Sequence, residues 1–308
     1  MRTVFIFVFA ATTLFWTEHL AAQGCCTAGS PSLGSLQTGL LQNRRFGLSA
    51  AYEFTRLTTA YRGTQKIRDP LGREAEVGNL SLEFGYGLSD RFSLHLIGNY
   101  SNRRREINLS DGASFVSQGR GFGDLVALLK FGIWRLDLAN QRELAIGVGV
   151  KAPAGQFRLR ENGVRLSYDL QPGTGSWDPL IWLYAFKGFL PRRFNFFGSA
   201  TLRFPTENPD GYKIGRELSY FIGGSHRCCN PLDVLLQIRG RHTSADQFQG
   251  FQRPSTGGTW LFFVPAVNLN LTNQLALQMQ YQQPLYFRVN GQQMAQDRTL
   301  ALAAFYHR

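Results

Sequence analysis

The stretch FGLSAAYEFTRL, residues 46–57, alternates with a period of two. Phe46, Leu48, Ala50, Tyr52 and Phe54 are apolar, and Gly47, Ser49, Glu53 and Thr55 between them are small or polar. A strand converts that pattern into one greasy face and one polar face, which a helix cannot do. The pattern returns in NLSLEFGYGLS and in RFSLHLIGNY, and the tight Ser89-Asp90 connection makes a hairpin of those two. Further segments of this kind cover residues 123–134, 143–152, 177–189, 194–204, 212–223, 232–242, 260–271, 274–287 and 299–306. With the first three they give about twelve strands, most near the length a tilted strand needs to cross a bilayer. Residues 177–189 are apolar on both faces, so their orientation is open.

The connections also alternate. Those at 88–91, 136–142, 190–193, 228–231 and 272–274 are short, whereas 56–73, 102–121, 153–175, 205–211, 243–258 and 289–298 are mostly longer and polar. Short turns on one side and long loops on the other is the arrangement of outer-membrane barrels, with turns in the periplasm and loops outside. The expected fold is therefore all-β, a closed antiparallel transmembrane barrel of about twelve strands. A secreted β-sandwich or a soluble barrel, with the greasy face turned inward, is the competing architecture.

The N-terminus favours export. MRTVFIFVFAATTLFWTEHLAAQG has a basic Arg2, an apolar run and a small-residue end, the layout of a cleaved signal peptide, and the run is too short for a membrane-spanning helix. The organisation expected is a leader over 1–24, a periplasmic segment over 25–45 and a barrel over 46–308 in the outer membrane of a Gram-negative bacterium. Composition agrees: 33 glycines, 13% aromatics and only 18% charged residues describe a chain of strands and turns. The last strand, TLALAAFYHR, is similar to the terminal strand by which barrel-assembly machinery recognises such proteins, although it ends in His307-Arg308 and not in an aromatic.

With the greasy faces turned to lipid, the other faces line the lumen. Pore candidates are Glu53, Glu83, Asp124, Lys130, Lys151, Arg203, Lys213, Glu217, Arg239 and Arg241, with Gln237, Gln278, Gln280 and Gln282. The formal charge of +12 gathers in loops and lumen, including Arg103, Arg104, Arg105, Arg158, Arg160 and Arg165. Exposed arginines suit lipopolysaccharide phosphates; arginines in the pore would favour acidic solutes. Nucleic acid is not a credible partner outside the cell.

Four cysteines form two vicinal pairs, Cys25-Cys26 and Cys228-Cys229. Both pairs fall on the periplasmic side, the second in the turn after the eighth strand, so they can meet. Neighbouring cysteines close a strained ring, so bridges between the pairs are favoured over bridges within them. A thiolate metal site with His226 is the alternative and the one cofactor the sequence suggests; a docking surface for a metal carrier or redox partner would use the same turn.

GRGFGDLVALLKFGIW resembles a recurring strand in a family of Gram-negative outer-membrane proteins named after the meta-pathway of phenol degradation, in which a G-x-G-D turn enters a strand ending in a lysine and an aromatic. GVGVKAPAGQF resembles that family's next strand, and QPGTGSWDP and NPDGYKIG resemble its loop-to-strand entries. The resemblance implies a small barrel that passes hydrophobic or aromatic compounds, and it brings no catalytic residues. Gly121, Gly123 and Asp124 also have a plain explanation as a glycine turn with an aspartate at the strand entry. An enzyme is not expected. The one enzymatic alternative is a lipid hydrolase, because His242 and Ser244 share the lipid face of the ninth strand in an arrangement similar to outer-membrane phospholipase A.

Overall fold

The computed structural model describes residues 38–69, 71–108, 112–136, 140–190 and 193–308; the leader, Cys25 and Cys26 lie outside them. Twelve strands form the wall: β1 (Phe46–Leu57), β2 (Arg73–Gly87), β3 (Phe92–Asn108), β4 (Leu125–Trp134), β5 (Arg142–Ala152), β6 (Asp178–Phe189), β7 (Phe194–Arg203), β8 (Glu217–Cys229), β9 (Leu232–Thr243), β10 (Gly258–Asn270), β11 (Leu275–Ala295) and β12 (Arg298–His307). Each is antiparallel to the next, and β12 pairs with β1 from Gly47↔His307 to Arg56↔Arg298. That last pairing closes the sheet and leaves no open edge in the wall, which a lipid environment requires.

The faces sort as the alternation predicts. Leu82, Ile222 and Leu302 point outward and are more than half exposed, while Glu53, Asn79, Ser81, Gln237 and Gln280 point inward and are buried. An oily exterior around a polar interior is stable only against acyl chains. Exposed aromatics ring both ends of the wall: Phe92, Trp134, Phe189 and Phe196 at the end carrying the short turns, Tyr100, Phe122, Trp177 and Tyr286 toward the other. These are the girdles of a barrel seated across two lipid–water interfaces.

Four expectations need correction. The wall strand placed at 212–223 begins at Glu217 and runs to Cys229; Tyr212–Lys213 is a separate short strand that pairs with Gln247–Phe248 above the barrel. Asp246 accepts the Gly215 N–H at 2.8 Å and bends the chain between the two. Cys228 and Cys229 consequently end β8 instead of occupying the turn, which is reduced to Asn230 and Pro231. Several of the expected long loops are themselves β-structure: β3 continues to Asn108 and is met by Ser114–Phe122, and β11 runs 21 residues to Ala295, where Thr59–Gly63 pairs with it. Finally, residues 38–41, expected in the periplasm, lie against inner-wall side chains.

That last correction resolves the strand that is apolar on both faces. In β6, Ile181 and Leu183 face lipid, while Leu180, Trp182 and Tyr184 face inward and are buried. Their inner partners are Leu128, Ala145 and, from the entering segment, Leu40. The strand is greasy inside because it receives a piece of the chain's own N-terminus.

Candidate functional site: the lumen and its two closures

At the long-loop end, three separate sequence motifs meet at Asp124. Its Oδ2 accepts from Lys151 Nζ (2.6 Å), Thr174 N (3.0 Å) and Thr174 Oγ1 (2.7 Å), and its Oδ1 accepts from Gly155 N (3.1 Å). Lys151 Nζ also donates to the Ser176 carbonyl (3.0 Å) and lies 3.2 Å from Asp178 Oδ2. This hub folds residues 153–177 into the mouth, where Leu170 is fully buried. Glycine is required there: a Cβ on Gly155 would lie 2.5 Å from the Gly123 carbonyl carbon, and one on Gly173 would lie 2.7 Å from that of Gly155.

The charges continue as a ladder around the inner wall. Arg203 lies 3.2 Å from Glu217 and 3.8 Å from Asp178, and Arg241 lies 2.7 Å from Glu217. Three cations thus face three carboxylates. Higher in the mouth, Arg105 pairs with Asp169, and Arg158 and Arg165 both reach Asp210. Those two guanidinium hydrogen bonds hold the Asp210 carboxyl below the usual carboxylate range. Nearby, burial pushes the Asp246 carboxyl up.

Level with this ladder the wall turns aromatic, with Trp260 opposite Arg241. On β10 and β11, Trp260, Phe262, Val264, Phe287 and Val289 face inward as one cluster, joined by Tyr61. Arg239 stands opposite Phe221 on one side and Phe262 on the other. Its Nη1 donates to Gln282 Oε1 at 3.1 Å.

At the short-turn end residues 38–41 rest on the inner wall. Fully buried Lys130 donates to the carbonyls of Thr38 (2.7 Å) and Gly39 (3.2 Å), and Glu143 Oε1 accepts the Leu40 N–H at 2.6 Å. Lys130 Nζ also sits 4.3 Å from the Trp182 ring. Beside the segment is a chamber of about 340 Å³ lined by Thr38–Gln42, Ser49, Glu83, His95, Phe305 and Tyr306, among others. In its wall His95 Nδ1 lies 2.8 Å from Glu83 Oε1, and His95 Nε2 lies 3.0 Å from Ser93 Oγ. The order of groups matches a hydrolytic triad, but Ser93 is wholly buried and meets no solute.

Glu53, Glu83, Asp124, Lys130, Lys151, Arg203, Glu217, Arg239 and Arg241 are therefore all inner-wall residues. They fall into three groups: the outer ladder, the middle and the N-terminal clamp. Lys213 is not in the wall; it is half-buried in the cap. His226, Cys228 and Cys229 are exposed at the short-turn rim, and among the described residues neither thiol has a disulfide partner and no cluster of metal-ligating side chains occurs. His242 Nδ1 is 2.8 Å from Thr259 Oγ1, while Ser244 Oγ accepts the Arg216 N–H, so the proposed hydrolase pair is engaged elsewhere. Sequence reasoning missed Asp178, Glu143 and His95. Asp178 and Glu143 stand on the inward parity of their strands, which was the available signal.

No family model matches the sequence, and no curated protein does. In fold, the chain is similar to an outer membrane channel from Pseudomonas putida F1, with TM-score 0.70 and 18% identity over 91% of this chain and 100% of that one. This is the fold of an outer-membrane β-barrel. The barrel also matches the β domain of the Bordetella autotransporter BrkA (TM-score 0.47, 10% identity, 84% of this chain and 98% of that one). A Pseudomonas aeruginosa FadL homologue matches at TM-score 0.44 and 8% identity, over 86% of the barrel's chain and 90% of its own.

Proposed function

We propose that the barrel is a passive outer-membrane channel for small, uncharged solutes of apolar or aromatic character. The observation that carries this reading is the inner aromatic cluster of Trp260, Phe262 and Phe287. A general diffusion pore has a polar, wet lumen, whereas part of this inner wall is packed with apolar and aromatic side chains. The charge ladder supports the neutral reading over an anion route, because Lys151, Arg203 and Arg241 each have a carboxylate partner and attract little further negative charge. Exposed arginines such as Arg160 and Arg216 at the outer rim suit lipopolysaccharide phosphates. The location proposed is the outer membrane of a Gram-negative bacterium, reached after removal of the leader and insertion by the barrel-assembly machinery.

The test compares initial uptake of radiolabelled toluene and benzoate by cells that carry or lack the protein. Faster toluene uptake with unchanged benzoate uptake is expected. Benzoate uptake that rises as much as toluene uptake would restore the anion route, and no effect on either would remove the channel reading.

A further inference from the structure

On the outward face, β8 to β11 change chemistry rung by rung. Ile222 and Ile238 are paired and exposed toward lipid. One rung nearer the long loops, Tyr220, Gly240, Leu261 and Tyr286 stand side by side on the four strands. The Tyr220 ring lies across Gly240, where a Cβ would collide with it, so this rung is a flat aromatic shelf of the kind that sits at a lipid–water interface. The next rung holds Leu218, His242, Thr259 and Arg288, of which His242 and Arg288 are exposed. Arg216 follows above Leu218. The Ser244 N–H donates to the Arg216 carbonyl at 3.0 Å and the Arg216 N–H donates to Ser244 Oγ at 2.9 Å, which carries the ladder one rung further and leaves the Arg216 side chain exposed on the same face. Charge pairing sets this side of the rim apart. On β1 and β3, Arg56 and Arg104 are bridged to Glu74 (3.0 Å) and Glu106 (2.8 Å). Among the described residues, Arg216 and Arg288 have no carboxylate partner.

We infer that Arg216, His242 and Arg288, above the Tyr220–Tyr286 shelf, form a binding site for the phosphorylated disaccharide of lipid A. Unpaired guanidinium groups directly above a lipid-facing shelf require an amphiphile whose acyl chains lie along Ile222 and Ile238 while its anionic head meets the arginines. The spacing selects the head. Arg216 and Arg288 belong to strands three apart and to successive rungs, which separates their backbones by about 15 Å. Two phosphates at the ends of one disaccharide suit that span, whereas the single phosphate of a glycerophospholipid reaches one arginine at a time. His242 Nδ1 lies 2.8 Å from Thr259 Oγ1, which fixes the ring between the two cations and leaves Nε2 for the head group. The site rests on the outer-membrane seating proposed above and is independent of the solute.

The experiment measures equilibrium binding to the purified, full mature chain in a neutral detergent by native mass spectrometry, with diphosphoryl, monophosphoryl and dephosphorylated forms of one lipid A. Affinity is expected to fall with each phosphate removed, by about tenfold or more in total. This series uses the native chain alone, so it decides the matter even where a variant folds poorly. Arg216→Gln/His242→Gln/Arg288→Gln, shown to be folded by heat-modifiable migration, should bind the diphosphoryl form about tenfold more weakly and the dephosphorylated form as the native chain does. Arg216→Lys/Arg288→Lys should keep most of the affinity, and Arg56→Gln/Arg104→Gln, which removes the paired arginines, should change nothing. Equal binding of the three lipid A forms, or native affinity in the triple variant, would overturn the site. Phosphatidylglycerol bound as tightly as diphosphoryl lipid A, or lipid A displaced by an equal concentration of inorganic phosphate, would overturn the assignment to lipid A. Toluene uptake is read separately: its loss with lipid A binding intact would remove the channel reading and leave this site standing.

Discussion

Lys151 Nζ lies 2.6 Å from Asp124 Oδ2 although 27 residues separate the two, and both side chains are almost wholly buried. The pair fastens the inward-folded loop to the wall, so its loss should be felt in stability and in loop order. Asp124→Asn leaves a buried ammonium short of a partner, and breaking a buried pair on one side costs about 3–5 kcal/mol. We expect a lower transition temperature for heat-modifiable migration and new protease cleavage within residues 153–177. Adding Lys151→Met should recover part of the loss, because the orphaned charge goes with it. Equal stability of Asp124→Asn and the native chain would contradict the role assigned to the pair.

The outer cap should loosen in acid. Asp210 receives Arg158 and Arg165, and those contacts depress its folded-state pKa below the ordinary value of 3.8. A depressed carboxylate contributes stability that is complete above the unfolded pKa and is lost as pH falls through the lower folded value. The window therefore lies below about pH 4. Loop proteolysis with an acid-active protease should accelerate there in the native chain, and Asp210→Asn should show the fast rate at every pH. A native rate that does not change across that window would refute this assignment.

The outer face of the wall can be tested at Leu302, which is 60% exposed and stands opposite Tyr52 of β1. An arginine near the middle of the bilayer costs a transmembrane barrel about 2–4 kcal/mol. Leu302→Arg should shift the denaturant midpoint in lipid vesicles by that amount and lower the folding yield. No shift would mean that this face does not meet acyl chains.

For the cysteines we expect two bridges between the pair at the end of β8 and Cys25-Cys26. Labelling of protein purified without reductant should find no free thiol, and elemental analysis no bound metal. One zinc or copper per chain would instead establish the thiolate site.

Much of the wall was legible because a strand is a local object. The alternation at 46–57 placed Glu53 inside and Tyr52 outside without reference to any other residue, and the same parity turned most of the inward candidates to the buried face. The reading failed where a distant group bent the chain, as Asp246 does at Gly215, or where strands run on past the membrane, as β11 does to Ala295. No local pattern marks such places. Lys213 was misplaced for the same reason.

The sequence by itself determined that this chain is built of about twelve two-faced strands joined by alternately short and long connections, because side-chain direction in a strand has a period of two. Tertiary structure alone decided which inward groups meet. Closure and register bring Asp124, Lys151, Gly155, Thr174 and Asp178 to one point, and they carry Leu40 onto Trp182 across a lumen. Contacts across a barrel depend on how strands far apart in sequence are staggered around it, and that stagger is a property of the closed sheet and of no single strand.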